Sequence, residues 1–337
     1  AMGGTGAEKQ PGNRQLMDKQ DLRIVFMGNP DFAVGSLRRI HQGGYNIVGV
    51  VTMPDKTGGR GNKVIESAVK RYATEAGLPC IMQPEKLKDP EFVDRLRSLD
   101  ADLFIVIAFR MLPEVVWAMP RLGTFNLHAS LLPKYRGAAP LNWAVINGDS
   151  QTGVTTFFLK HEIDTGDIIR REAIDIGEDE NVGSVHDRLM ELGAELTVDT
   201  IDHIIAGDLK PIPQSEMEGG DTPTPAPKIF KDTCRINWGR TAAEVHNLVR
   251  GLSPYPAAWT KLSADGAQAA DVKILATRRT GLPACCPPGT VKTDQGQLLA
   301  ATADSWLEIL EIQPAGKRRM TAGEYLRGVR AESLMFE

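Results

Sequence analysis

Cysteine is scarce in this chain. Its four cysteines, Cys80, Cys234, Cys285 and Cys286, make neither a disulfide framework nor a zinc spacing, and Cys285-Cys286 beside Pro287-Pro288 reads as an incidental loop pair. Long apolar runs are also missing. No stretch approaches the ~20 residues needed to span a bilayer and no signal-peptide pattern is present, so no membrane partner is expected and the cytoplasm is the expected compartment. The six histidines (His41, His128, His161, His186, His203, His246) show no ligand spacing, which implies no metal. A strong charge of one sign is lacking as well. The net charge of −4 argues against crude electrostatic binding of nucleic acid by the whole chain. Its distribution is uneven, because residues 230–337 hold 14 Lys and Arg against 11 Asp and Glu. The C-terminal part is therefore the basic one. The three-glycine dinucleotide fingerprint is absent too, which disfavours a nicotinamide oxidoreductase.

What is present is enough chain for two cores: 337 residues suit two domains. Residues 1–20 are polar and without periodicity and read as a disordered leader, with Met17 a candidate start. From Leu22 onward, buried-strand patterns alternate with helical ones. Strands are expected at residues 22–27, 45–52, 80–82 and 103–108, and helices near residues 31–42, 65–76 and 90–99. This alternation predicts a parallel α/β sheet over residues 21–208, whose ligands bind at the carboxyl ends of strands. Val185, Leu189, Leu192 and Leu196 make residues 183–206 an amphipathic helix. Prolines 211, 213, 223, 225 and 227 with Gly219-Gly220 mark residues 209–229 as an extended linker. Beyond it, a helix at residues 241–252 and five short strands (258–262, 272–277, 289–293, 298–302, 306–312) suggest an OB-like β-barrel over 230–337, closed by a helix at residues 321–330.

The chemistry concentrates between Gly123 and Ile168. Residues 124–128 alternate with period two, so Asn126 and His128 share one face of a short strand and Phe125 and Leu127 the other. An amide beside an imidazole pairs a hydrogen-bond donor with a proton handler. Pro133 then breaks the strand, and the turn-prone Asp164-Thr165-Gly166-Asp167 can return a carboxylate to the imidazole. Singly, each has a bland reading as a strand-end cap, a core histidine and a turn former. Their occurrence together is harder to explain that way.

Asn126-x-His128, Ser130-Leu131-Leu132-Pro133, Tyr135-Arg136-Gly137-Ala138-Ala139-Pro140 and Asp164-Thr165-Gly166-Asp167 together resemble the signature of the 10-formyltetrahydrofolate-dependent formyltransferases. The likeness runs from Leu22 to about Arg330. It implies a Rossmann-like catalytic domain at 21–208 and an OB-like tRNA-binding domain at 230–337. It also implies formyl transfer from 10-formyltetrahydrofolate to the α-amino group of methionine carried by initiator tRNA, by a monomer that uses no metal. Asn126, His128 and Asp164 would be catalytic, and Ser130, Leu131, Leu132 and Pro133 would bind folate. Phe109-Arg110 stands where the commoner family pattern has Tyr-Gly, and backbone around Phe109-Arg110-Met111 would wall the same pocket. Residues 52–63 resemble the family's tRNA-inserting loop, with Arg60 and Lys63 as contacts, and Gln313-Pro314-Ala315-Gly316-Lys317 resembles a second tRNA segment, with Lys317 and Arg318 as contacts. A small-amine formyltransferase would need neither the loop nor the tail. A non-catalytic RNA-binding module would leave Asn126, His128 and Asp164 without a use.

Overall fold

The computed structural model describes residues 17–217 and 223–337. Residues 1–16 of the expected leader, and Gly219-Gly220 of the expected linker, lie outside them. Strand β1 (Arg23–Gly28) is followed by α1 (Asp31–Gln42), β2 (Asn46–Val51), β3 (Lys56–Gly58), β4 (Lys63–Ile65), α2 (Ala68–Glu75) and β5 (Ile81–Met82). Then come α3 (Pro90–Ser98), β6 (Leu103–Ile107), α4 (Glu114–Trp117), β7 (Thr124–His128), β8 (Arg136–Gly137) and α5 (Pro140–Ile146). The first half ends with β9 (Gln151–Phe158), β10 (Ile168–Asp175) and α6 (Val182–Ala206).

The main sheet has the order β10-β9-β7-β6-β1-β2-β5. Strands β7 to β5 are mutually parallel. Both faces of β1 are buried, Ile24 and Phe26 on one side and Val25 and Met27 on the other, as helices covering both faces of a parallel sheet require. The edge departs from the all-parallel expectation, since β9 runs antiparallel to β7 and β10 antiparallel to β9. Residues 159–167 are too short for a crossover helix, so β9 and β10 pair as a hairpin. Helix α6 starts at Asn181, whose side chain accepts from the Ser184 N–H at 2.9 Å, and stops at Gly207 with φ of 69°. Residues 56–63 of the expected tRNA-inserting loop, continued by Val64 and Ile65, form a two-stranded ribbon of β3 and β4.

The remaining elements are β11 (Pro225–Ala226), α7 (Ala242–Leu252), β12 (Ala258–Ala264), β13 (Ala270–Pro283), β14 (Val291–Asp294), β15 (Gln297–Ala301), β16 (Ser305–Pro314), β17 (Met320–Thr321), α8 (Ala322–Leu326) and β18 (Leu334–Phe336). Apart from β11, the strands form one antiparallel sheet with the path β14-β15-β16-β13-β12-β18 and β17 paired to β16. A Thr290–Met335 bridge brings the two ends of that path together, making a near-closed barrel that hides its edges. The long β13 carries three register shifts, which supply curvature. Strand β18 was not expected, and α8 ends at Leu326, shorter than the helix read over residues 321–330.

Helix α7 seats the barrel on the first half. Asn142 Nδ2 donates to the Gly251 carbonyl at 2.9 Å, and Arg250 reaches the Glu180 carbonyl at 3.1 Å. The buried His246 contacts Thr277 Oγ1 at 2.7 Å and Asp179 Oδ1 at 2.9 Å. Burial pushes its imidazole below the ordinary histidine value, against the opposing pull of the Asp179 carboxylate. The unfolded chain therefore takes up the proton first as pH falls. The contribution is intact above the unfolded value of about 6.5 and is lost as pH drops toward the lower folded value. We expect the melting temperature to fall more steeply from about pH 7.5 to about pH 5.5 in the parent than in His246→Gln. Superimposable curves would rule this out.

Candidate active site

The alternation of β7 is realised in space. Phe125 and Leu127 enter the core shared with α6, which leaves Asn126 and His128 on the opposite face. His128 is 7% exposed, and its Nε2 lies 2.7 Å from the Tyr135 carbonyl oxygen. A carbonyl can only accept, so Nε2 carries a proton and Nδ1 is the nitrogen free to gain or lose one. Tyr135 is itself fixed, with φ of 59° and its hydroxyl donating to Asp149 Oδ2 at 2.6 Å. Burial, with the Asp149 bond adding to it, pushes that phenol up to about 12, so it stays a neutral donor. Across from His128 Nδ1, Asp164 Oδ2 stands at 3.8 Å, longer than a hydrogen bond but close enough for charge to act. The same oxygen accepts from the Gly137 N–H at 2.9 Å, and Asp164 holds a left-handed φ of 54°. Phe157 meets the imidazole edge-on at 6.4 Å. Asn126 keeps part of its surface exposed, and its side-chain amide has no hydrogen-bond partner among the described residues. Two groups from distant stretches, His128 and Asp164, thus face each other, with the partly exposed Asn126 amide two residues away on the same strand as His128.

The four expected folate residues are turned largely inward. Ser130, Leu132 and Pro133 are buried and Leu131 is half-buried. Ser130 Oγ donates to the Lys134 carbonyl at 2.6 Å, while Thr155 Oγ1 donates to the Ser130 carbonyl and accepts from Leu132 N–H. This segment braces the site and spends its polar atoms internally. A cleft of about 840 Å3 opens beyond the carboxyl end of β6, lined by Lys86, Leu87, Lys88 and residues 110–115. Its lining does not include Asn126, His128 or Asp164, which belong to the neighbouring strand and loop. Arg110 fits through its two terminal guanidinium nitrogens, while its Nε is buried with no hydrogen-bond partner among the described residues. Ala108, not Arg110, takes the left-handed φ, and Arg110 donates to the carbonyls of Pro84 (2.7 Å) and Glu85 (2.8 Å).

Arg60 and Lys63 lie exposed on the β3–β4 ribbon, and neither forms an ion pair among the described residues. Asn29 Oδ1 pins the base of that excursion by accepting from the Met53 N–H at 2.8 Å. Lys317 and Arg318 occupy the exposed turn after β16, but Arg318 is paired with Glu324 at 2.6 Å and so is already engaged. A further cleft of about 540 Å3 in the barrel half has Phe230, Tyr255 and Trp259 in its wall, with Lys231 and Arg235 over the Trp259 ring.

Two site residues escaped sequence reasoning. Gln214 and Thr224 fall in the proline-rich stretch expected to be a linker, yet both bond to the loops that carry Asp164 and Tyr135. Thr224 Oγ1 accepts from the Tyr135 N–H at 2.9 Å, and β11 pairs with β8. The one sequence hint was a polar residue beside Pro213, which is too weak a signal to act on.

Comparison with known proteins gives the family. A family model described as formyl transferase matches residues 22–201, and one described as formyl transferase, C-terminal domain, matches residues 228–330. A protein of Bacteroides fragilis named methionyl-tRNA formyltransferase is 56% identical over 313 residues, covering 93% of this chain and 96% of that one. One of Bacteroides thetaiotaomicron with the same name is 55% identical over 315 residues, covering 93% and 98%. Among solved structures, HypX from Aquifex aeolicus superposes with a TM-score of 0.61 at 18% identity over 92% of this chain, which spans about half the length of HypX (48%). The sugar 3N-formyl transferase WlaRD gives 0.61 at 19% identity, covering 88% of this chain and 99% of that one. These two likenesses bear on the fold alone. The chain belongs to the formyl transferase family.

Proposed function

We propose that this protein transfers the formyl group of 10-formyltetrahydrofolate to the α-amino group of methionyl-initiator tRNA, giving N-formylmethionyl-tRNA for translation initiation in the cytoplasm. The observation that carries the reading is the approach of His128 Nδ1 to the Asp164 carboxylate at 3.8 Å, with the partly exposed Asn126 two residues from His128 on the same strand β7. The two relatives at 55–56% identity support the choice of acceptor through their names.

The donor supplies an electrophilic formyl carbon attached to nitrogen. Free α-amino groups have pKa values of about 7.7–8.0, and the adjacent ester lowers this, so the acceptor needs little help to become neutral. Asn126 donates its N–H to the developing oxyanion. His128 donates from Nδ1 to the same oxygen or protonates the departing nitrogen, its other nitrogen being held by the Tyr135 carbonyl. Asp164 stabilises the charged imidazole and takes or relays the proton released by the amine. The cleft beyond β6 suits the donor: Met111, Leu112 and Val115 offer apolar wall to a flat ring, and Lys86 and Lys88 offer charge to its carboxylates. Leu131 is the member of the brace that keeps surface to share. Exposed Phe230 and Tyr255 and the cations stacked on Trp259 suit an RNA partner, through stacking and phosphate contact.

The direct test incubates the protein with 10-formyltetrahydrofolate and methionyl-initiator tRNA and measures N-formylmethionine after deacylation. Absence of product at stoichiometric enzyme would end the proposal. Within it, Arg60→Ala is expected to lower kcat/KM for the tRNA by ~10-fold, as loss of a phosphate or base-edge contact implies, with the KM for the folate unchanged. Unaltered kinetics toward tRNA would remove Arg60 from the interface.

A further inference from the structure

Gln214 is 6% exposed and all four hydrogen-bonding positions of its amide are filled. Nε2 donates to the carbonyls of Asp164 (2.7 Å) and Gly166 (2.8 Å), while Oε1 accepts from Arg136 Nη2 (2.7 Å) and Nε (3.2 Å). The next residue after Arg136 is Gly137, whose N–H holds the Asp164 carboxylate. A closed circuit results, running from Gln214 to the Asp164 backbone, through its side chain to Gly137, and back through Arg136. Two residues upstream, Ile212 exchanges both backbone bonds with Ile168 at 2.8 Å, which delivers Gln214 in register to the foot of the catalytic loop.

The circuit does a particular job. Asp164 has a left-handed φ, a conformation that is unfavourable for a non-glycine residue and persists only where its surroundings impose it. The Gln214 donors grip the carbonyls on either side of Thr165, so they fix the loop backbone in that conformation. The Arg136 link places the one N–H that orients the carboxylate toward His128. We infer that Gln214 is a positioning residue for formyl transfer, setting the distance between Asp164 and His128 from within the segment that leads to the barrel. The inference rests on the reading of Asp164 as a catalytic carboxylate.

A double-mutant cycle tests it, using the full chain with 10-formyltetrahydrofolate and methionyl-initiator tRNA. Gln214→Leu is expected to lower kcat by ~10–100-fold with each KM within ~3-fold, the scale of a loop misplaced by about an ångström. In an Asp164→Asn background the same change should cost less than ~3-fold more, because a residue acting through Asp164 has nothing left to position. A merely structural glutamine would multiply its effect in both backgrounds. Should Gln214→Leu fail to fold, Gln214→Glu replaces it, keeping volume and the Arg136 contact while turning acceptor oxygens toward the two loop carbonyls. Full activity of the Gln214 variant, or multiplicative losses in the double variant, would overturn the inference. An Asp164→Asn protein with near-parent kcat would instead take down the catalytic reading, and this inference with it.

Discussion

Asn126→Ala and Asp164→Asn each lower kcat for formyl transfer by ~10²–10³-fold, the range for losing one oxyanion donor or one acid–base partner. The fold survives both. The Asn126 amide has no hydrogen-bond partner among the described residues, so its removal orphans none of them and costs stability within roughly ±0.5 kcal/mol. Asparagine at 164 still offers an oxygen to the Gly137 N–H, so the 2.9 Å bond that anchors the loop remains. What asparagine cannot supply is negative charge at 3.8 Å from His128 Nδ1, in a pair whose side chains are 8% and 12% exposed. At that burial water screens the pair weakly, so the lost charge is felt in the chemical step. The measurement is single-turnover formylation of methionyl-initiator tRNA, with thermal melts alongside. Turnover by either variant within a few-fold of the parent, at an unchanged melt, would strip that residue of its assignment.

The candidate constellation could be picked out because each member left a local mark. Asn126 and His128 interrupt an apolar alternation at its polar phase, and Asp164 sits in a turn-forming run. The parallel strands declared themselves through near-continuous apolar runs, as both-face burial demands. The antiparallel edge did not. A strand's direction is set by what its connection can span, and β9 and β10 carry the same alternation whichever way they run. The β3–β4 ribbon was hidden among glycines and cations that carry no period. Strand β18 is three residues long, below what periodicity can resolve. Gln214 and Thr224 were invisible for a further reason. Their partners lie 48–89 positions away, and a side chain reaching a distant backbone leaves no pattern in the sequence around it. The prolines flanking them read as an extended linker, whereas Gln214 opens a short 3-10 turn over Gln214–Glu216, and a strap held by such contacts looks the same as a free linker until they are seen.

Gly166→Ala should cost nearly as much activity without touching any reacting atom. A Cβ at Gly166 would stand 1.5 Å from the Phe158 carbonyl oxygen and 2.8 Å from its carbon, both backbone atoms of the paired strand β9. Neither can rotate aside, so the loop must retreat by more than an ångström. Asp167, whose carbonyl accepts from the Phe158 N–H at 3.1 Å, moves with it, and so does Asp164, two residues before Gly166. A displacement of that size is worth ~10²-fold in kcat. Crowding of this kind also costs about 1–3 kcal/mol, so the melt should fall by several degrees while staying cooperative. Thr165→Ala is the matched control. It trims one hydroxyl that bonds the exposed Glu162 carbonyl at 2.9 Å and leaves the backbone path open, so kcat should stay within ~2-fold. If Gly166→Ala retains parent kcat, the loop tolerates movement that the Asp164–His128 geometry forbids, and the carboxylate cannot be acting from where it stands.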